Sequence, residues 1–296
     1  MASTAFQIPP LAPPPSAPPL VIVGASTRAA AWSAIRAGRR PVCADLFADR
    51  DLLAVAAAVA VEDYPQGLVD AVEDLLSSEP DARCPAVYTG AMENHLEVVA
   101  ALADRGPLLG ILPASLRLVG DPGWIAQLCR DHNLSCPAIR PADDPPPRDH
   151  QWLVRHPHSA GGSGVSKWNG TAPPPGPGAV FQERIRGRSA AALCLGTGSS
   201  ARVLGVTEQL VGRAWLSASR WAWCGSIGPI ELPPALNDQV AQRADAVAGR
   251  AGLVGLFGID LVLDGRRAWT IEINPRYTMG RVALELARFT PSQART

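Results

Sequence analysis

The sequence predicts an α/β unit followed by an α+β unit, and three observations carry that expectation. Near the start, the apolar run Leu20 to Val23 ends at Gly24-Ala25-Ser26-Thr27. A helical stretch to Gly38 follows, and a second apolar run, Pro41 to Ala44, closes at Asp45, which is a β-α-β opening. In the second half, Ser189 to Leu195 and Ala201 to Gln209 read as strands of an antiparallel sheet. Further on, Phe257 to Leu263 and Ala268 to Asn274 alternate at period two around Asp264-Gly265, a hairpin signal.

Bulk properties narrow the class. The 296 residues, 47% of them hydrophobic, suffice for one large or two modest domains with a filled core. Lys plus Arg equal Asp plus Glu at 27 each, so no global field favours nucleic acid or an anionic membrane. The six cysteines (Cys43, Cys84, Cys129, Cys136, Cys194, Cys224) are scattered without a Cys-x-x-Cys, which argues against a zinc ribbon or a disulfide framework. Reduced thiols and a cytoplasmic location are expected. No apolar run reaches the ~18 residues that span a bilayer, and no secretory leader pattern opens the chain, so a soluble protein is expected.

Taken in order, residues 1–19 are so rich in proline that they read as a disordered tail. Gly24 lacks partner glycines at the dinucleotide spacing, so no nucleotide is expected at that turn. Ala86 to Thr89 reads as another parallel strand, delivering Glu93 and Asn94 beyond its carboxyl end. These face a substrate, or Asn94 caps the next helix. Leu116 to Ala138 reads as a helix with Asp121 as N-cap and Pro122 at its first position. Pro141 to His150 is a polar linker.

Gln151 to Arg155 is a strand leading into a loop that holds Gly161, Gly162, Ser163 and Gly164. Its glycines let backbone N–H groups approach phosphate oxygens, and its hydroxyls add donors. Taken alone it is equally a flexible connection, and it is not a Walker loop. His156 and His158 have no metal-ligand company. In the segment Ala179 to Gly187, Gln182 and Glu183 on their own terms are as readily ordinary exposed strand residues as part of an extended segment whose backbone reads a ligand edge. Glu208, Gln209 and Trp221 to Ser226 are candidates for acceptor recognition. Leu236 to Ala251 is a helix by its apolar spacing, and another begins near Arg281.

The hairpin carries the chemistry. Phe257, Ile259, Leu261 and Leu263 point to one side of the first strand, and Trp269, Ile271 and Ile273 share a side of the second. The other side carries Asp260, Thr270, Glu272 and Asn274. For both apolar faces to meet, the loop needs an odd residue count, such as Asp264-Gly265-Arg266. Asp260 then lies diagonal to Glu272 on one face, with Asn274 beyond it. Two crowded carboxylates call for a cation, and all-oxygen ligation suits magnesium, with manganese as the alternative. Arg276 adds a positive charge suited to a phosphate.

Gly258-Ile259-Asp260 followed by Ile271-Glu272-Ile273-Asn274-Pro275-Arg276 resembles the metal and triphosphate signature of the ATP-grasp superfamily. The likeness extends from about Leu20 to Glu285, and is greatest to predicted ATP-dependent carboligases related to biotin carboxylase and carbamoyl-phosphate synthase. It implies a Rossmann-like pre-ATP-grasp domain over residues 20–118 and an ATP-grasp domain over 119–296. It also implies Mg-ATP held by Asp260, Glu272 and Asn274. Arg155 and Arg276 would then be catalytic, Arg155 and the Gly161–Gly164 loop would meet phosphates, and Gln182, Glu183 and Ile185 would lie in an adenine-binding hinge. Pro122 departs from the pattern, since many members place a lysine there. The implied activity is ligation of a small carboxylate to an amine or similar nucleophile through an acylphosphate, giving ADP and phosphate, with a homodimer as the candidate assembly. The alternatives are a bicarbonate-phosphorylating enzyme resembling biotin carboxylase, or an ATP-binding module without turnover.

Overall fold

The computed structural model describes residues 17–77, 83–147, 149, 151–156, 159, 161–170 and 178–278. The first sixteen residues of the proline-rich tail, His158, residues 171–177 and the helix expected near Arg281 lie outside the described residues. The chain divides into two compact units, Met1–Pro113 and Ala114–Thr296.

The first unit runs β1 (Leu20–Gly24), α1 (Arg28–Arg36), β2 (Pro41–Asp45), α2 (Arg50–Leu53), β3 (Ala57–Ala60), α3 (Leu68–Leu75), β4 (Ala86–Tyr88) and α4 (Leu96–Arg105). Its four strands are all parallel in the order β3-β2-β1-β4. Strands β1 and β2 are buried along their whole length. Central strands of a parallel sheet are covered on both faces, so they read in the sequence as unbroken apolar runs rather than alternation. Small and branched side chains supply the helix faces that bury with the sheet: Ala30, Ala31 and Ala34 on α1, Val98, Val99 and Leu102 on α4.

Two loops at the carboxyl ends of these strands are explained by close contacts. The Asp45 carboxylate accepts four hydrogen bonds, from the Thr27 amide (2.6 Å) and hydroxyl (2.8 Å) and the amides of Phe47 (2.7 Å) and Ala48 (2.9 Å). Gly24 has φ +147°, and a Cβ there would lie 2.1 Å from the Thr89 hydroxyl. The expected helix cap at Asn94 is corrected. Asn94 ends a short 3₁₀ turn, Met92–Asn94, whose closing amide donates to the Ala91 carbonyl, and α4 begins only after His95, which supplies no side-chain cap.

The second unit continues with α5 (Pro113–Val119), α6 (Pro122–Asp131), β5 (Ile139–Pro141), β6 (Trp152–Arg155), β7 (Val165–Lys167), β8 (Val180–Glu183), β9 (Arg188–Thr197), β10 (Ala201–Val211), β11 (Trp223–Ile227), α7 (Pro234–Ala251), β12 (Val254–Leu263) and β13 (Ala268–Asn274). The single helix expected over 116–138 is two. Asp121 has extended dihedrals and accepts the Gly123 amide at 2.7 Å, with Pro122 in the first turn, so a new helix starts there. Beyond α6 the chain turns back, the Leu134 amide donating to the Cys129 carbonyl at 2.7 Å.

Two antiparallel sheets follow, ordered β5-β8-β6-β7 and β11-β10-β9-β12-β13. The first is pinned by Val154, Trp168 and Phe181, with the two rings edge to face at 4.7 Å. The second is covered by α7, whose Val240, Ala244, Val247 and Ala251 are buried.

The hairpin β12–β13 corrects the expected register. Leu263 faces Ala268 and the Asp264 amide donates to the Arg267 carbonyl, so the connection has an even residue count, with Gly265 at φ +94°. The odd residue sits elsewhere. The pairing slips between Asp260 and Leu261, whose partners are Glu272 and Thr270, leaving Ile271 as a bulge in β13. Below the bulge Ala268 and Thr270 are the buried residues, above it Ile273 is, and they meet Phe257, Ile259, Leu261 and Leu263. Trp269 and Ile271 are therefore not core residues. Trp269 lies on the other face and donates its indole N–H to Asp264 at 2.8 Å. Among the described residues no helix is long and apolar enough to cross a membrane.

Candidate functional site

The Ile271 bulge sets the site. By inserting one residue into β13 it brings Glu272 directly opposite Asp260 rather than diagonal to it, and opposed residues in an antiparallel pair project from the same face. Glycine at 258 completes the approach: it faces Asn274, and a Cβ there would lie 2.9 Å from the Thr278 methyl.

Asp260 is enclosed by polar groups from several strands. Gln209 on β10 donates to its Oδ1 at 3.0 Å. To do so it reaches across β9, where the residue level with Asp260 is Ala191, whose short side chain leaves the way open. The Asn274 amide also hydrogen bonds Asp260, and its Oδ1 accepts from the Arg276 guanidinium at 3.0 Å. Burial, and next the charge of Glu272, push the Asp260 carboxyl up to about 7, against the pull of Asn274, Arg276 and Gln209.

Arg155 arrives from the other sheet of the same unit. Its guanidinium forms an ion pair with Glu272, donates to the Ile271 carbonyl at 3.1 Å and donates to the Gln182 side chain at 3.3 Å. A bulged residue falls out of the ladder, and here its free carbonyl is satisfied by arginine. One positive side chain therefore ties β6, β8 and β13 together. The two carboxylates are balanced by two guanidiniums, Arg155 on Glu272 and Arg276 through Asn274. In this arrangement arginine supplies charge that compensates the crowded pair.

The remaining sequence candidates fall in two groups. Gly161, Gly162, Ser163 and Gly164 form the turn joining β6 to β7, closed by the His156 amide on the Gly164 carbonyl at 2.9 Å. The turn is latched to the β10–β11 connection. The Trp223 amide donates to the Gly161 carbonyl at 3.0 Å, and a Cβ on Gly162 would lie 1.9 Å from the Trp221 carbonyl oxygen. Backbone-to-backbone approach thus accounts for glycine at 162.

Gln182 is 3% exposed, its amide oxygen spent on Arg155. Glu183 and Ala138 exchange bonds, amide to carbonyl at 2.8 Å and Ala138 amide to carboxylate at 3.0 Å, and Ile185 follows half-buried. Of the acceptor candidates, Gln209 belongs instead with Asp260, while Glu208 pairs with Arg188 and Arg213. The Ile271 carbonyl was not foreseen, because the sequence carries no signal for a bulge at an apolar position.

Comparison with known proteins places this arrangement. The family model described as the ATP-grasp domain matches residues 124–280, more than half of the chain, and the chain belongs to that family. No curated protein matches significantly. Among solved structures, a Rhizobium etli pyruvate carboxylase crystallised with acetyl coenzyme A superposes with TM-score 0.72 at 16% identity, over 92% of this chain and 27% of that one. A putative ATP-grasp superfamily protein from Archaeoglobus fulgidus gives 0.63 at 15% identity, over 92% and 85%. The biotin carboxylase domain of Hydrogenobacter thermophilus 2-oxoglutarate carboxylase, with MgADP, ADP and bicarbonate, gives 0.69 at 14%, over 90% and 66%. At these identities the likeness is one of fold: an ATP-grasp fold with mixed α and β layers. The chain spans 27% of the pyruvate carboxylase it resembles.

Proposed function

We propose that this protein is an ATP-dependent ligase joining a small carboxylate to an amine or similar nucleophile. A substrate carboxylate takes the γ-phosphoryl group of ATP, leaving ADP, and the nucleophile then displaces phosphate from the acylphosphate. The observation that carries the reading is the facing pair Asp260 and Glu272, flanked by Asn274, with Arg155 reaching it from the opposite sheet.

The donor set fits a hard divalent cation. Asp260, Glu272 and Asn274 offer only oxygen ligands from one sheet face, and the partly desolvated carboxylates crowd one another. Magnesium bound there would supply charge neutralisation at phosphate oxygens. Arg155 is the group that exchanges partners, leaving Glu272 for a phosphate, while its Nη1 stays on the Gln182 amide oxygen. Arg276, held by Asn274, offers a second fixed charge. The turn from Gly161 to Gly164 closes over the phosphates, and the segment Gln182 to Ile185 reads the adenine edge through its backbone.

Residues 20–118, with their parallel sheet, serve in this reading as the Rossmann-like domain that precedes the ATP-grasp domain of 119–296. A cytoplasmic location and a homodimeric assembly belong to the same proposal. A second reading, nucleotide binding without turnover, draws support from the ion pair of Arg155 with Glu272, which already balances the charge a metal would balance. Incubating pure protein with Mg-ATP and pooled carboxylates and amines separates the two. ADP release together with a condensed product mass supports the ligase; binding without ADP release supports the second reading.

A further inference from the structure

The two outer strands of the parallel sheet in the first unit are finished differently. Along β4 the backbone is covered by the chain that follows α4: the Ala86 amide donates to the Pro107 carbonyl at 2.9 Å and the Leu109 amide to the Ala86 carbonyl at 2.8 Å. Among the described residues β3 pairs only with β2. The Val61 amide donates to the Asp45 carbonyl at 2.8 Å, so the odd-numbered residues of β3 turn their amides and carbonyls to β2, and Ala58 and Ala60 turn theirs outward. Ala56 takes no part, because its amide is spent on the Leu52 carbonyl at 3.0 Å.

This edge lacks the features that keep exposed strands from pairing. From Leu52 to Val61 every residue is alanine, valine or leucine, with no charge and no proline. Val59 and Leu53 are 36% and 53% exposed, and Ala57 and Ala60 are exposed as well. An apolar edge of this kind is a template for another strand. The charges decide which strand fits, because the two ends of a parallel sheet are distinct. At the amino end, the turn from α1 to β2 carries Arg36, Arg39 and Arg40. At the carboxyl end β3 runs into Glu62 and Asp63, both exposed. Asp45, Asp49 and Asp51 lie at that same end with Arg28 and Arg50, so acids outnumber bases there. A strand laid antiparallel on β3 fits best if an acidic stretch follows it, and a second copy of β3 has that sequence.

We propose that the protein self-associates through β3, two copies pairing antiparallel about a two-fold axis so that one sheet continues through both subunits. This rests on the homodimeric assembly proposed above and is independent of the ligase activity. The register follows from the outward groups. With the axis at Val59, Ala58 lies opposite the partner's Ala60 and Ala60 opposite the partner's Ala58. Each pair exchanges two hydrogen bonds, which satisfies the outward amides and carbonyls of the strand. Val59 then faces the partner's Val59 in a non-hydrogen-bonded pair, where side chains come closest. An axis at Ala58 would set Ala60 against the partner's Ala56, whose amide is already spent. An axis at Ala60 would put Glu62 in the middle of the apolar edge, opposite the partner's Ala58. In the Val59 register Glu62 falls opposite the partner's Ala56, and the pairing of Val42 with Ala57 makes Ala56 level with Pro41. Glu62 thus ends two strand spacings, about 10 Å, from the backbone beside the partner's Arg40, within the span of the two side chains.

The test is sedimentation velocity of the full chain over a range of concentrations. Wild type is expected to dimerise, and Val59→Lys to weaken the dimer by about 100-fold or more, because it sets two ammonium groups against each other at the axis. Arg40→Glu and Glu62→Arg should each weaken self-association by about tenfold. An equimolar mixture of the two should recover wild-type affinity, since the mixed dimer restores both opposite-charge contacts. A dimer that Val59→Lys leaves intact overturns β3 as the interface while the homodimer stands, and a monomer at every concentration overturns both. Neither result bears on ADP release, so failure here and failure of the ligase reading are told apart. If Val59→Lys loses its thermal transition, amide exchange in wild type decides. Ala58 and Ala60 protected at high concentration and exposed on dilution support the interface; fast exchange of both in the dimer overturns it.

Discussion

Asp45 and Asp260 are both carboxylates on a sheet, one in each unit, and their surroundings are opposite. Asp45 accepts four hydrogen bonds, two at each oxygen, all from groups that the turns after β1 and β2 must orient anyway. Asp260 faces another carboxylate, is partly desolvated, and is pushed up to about 7. A fully satisfied acid organises its own loop and has nothing left to offer. An acid crowded by like charge is stabilised by whatever reduces that charge, which is how a binding site stores strain.

The sharpest way to break this contrast is to remove Asp45. Asp45→Ala leaves buried amides of Thr27 and its neighbours without acceptors and should destabilise the first unit by about 3 kcal/mol or more, read by urea unfolding. A loss under about 1 kcal/mol would show that these donors find other partners.

The next effect in size concerns turnover. If the proposed site holds, Glu272→Gln should cut ADP formation by about 100-fold or more while only weakening nucleotide binding, because the adenine contacts proposed for Gln182 to Ile185 would not depend on the proposed metal ligands. Asn274→Ala should follow the same pattern with a smaller loss. Equal magnesium dependence of binding in wild type and both variants, measured by calorimetry, would remove the site assignment. Arg155→Ala should lower ATP affinity by about tenfold, the worth of one charge-assisted hydrogen bond; unchanged affinity would leave Arg155 as a structural tie between the two sheets.

The smallest effect is the most discriminating. Asp260→Asn relieves like-charge crowding and should leave thermal stability unchanged or raise it by up to about 1 kcal/mol in metal-free buffer, the reverse of Asp45→Ala. A marked drop in melting temperature would mean that the two acids are structurally equivalent and that the contrast is false.

The sequence determined by itself the runs that become β1 and β2, because doubly covered strands must be apolar throughout. Local chemistry likewise marked Asp121 and Pro122 as a helix start and Asp264-Gly265 as a hairpin turn. The signature of Asp260, Glu272, Asn274 and Arg276 was readable because acids and amides are rare in strands and need a reason to be there. Even the need for one odd residue in the hairpin followed from strand parity.

Where that odd residue sits was decided by tertiary structure. A bulge at Ile271 costs a ladder position, and what offsets the cost is Arg155, more than a hundred positions earlier in the chain, donating to the freed carbonyl. The same holds for Gln209, which reaches Asp260 only because β9 lies between their strands and carries alanine at that level. It holds for Gly162 beneath the Trp221 carbonyl. Periodicity records which face a residue prefers. Which distant group meets it there depends on sheet order and on chain returns that no local pattern encodes.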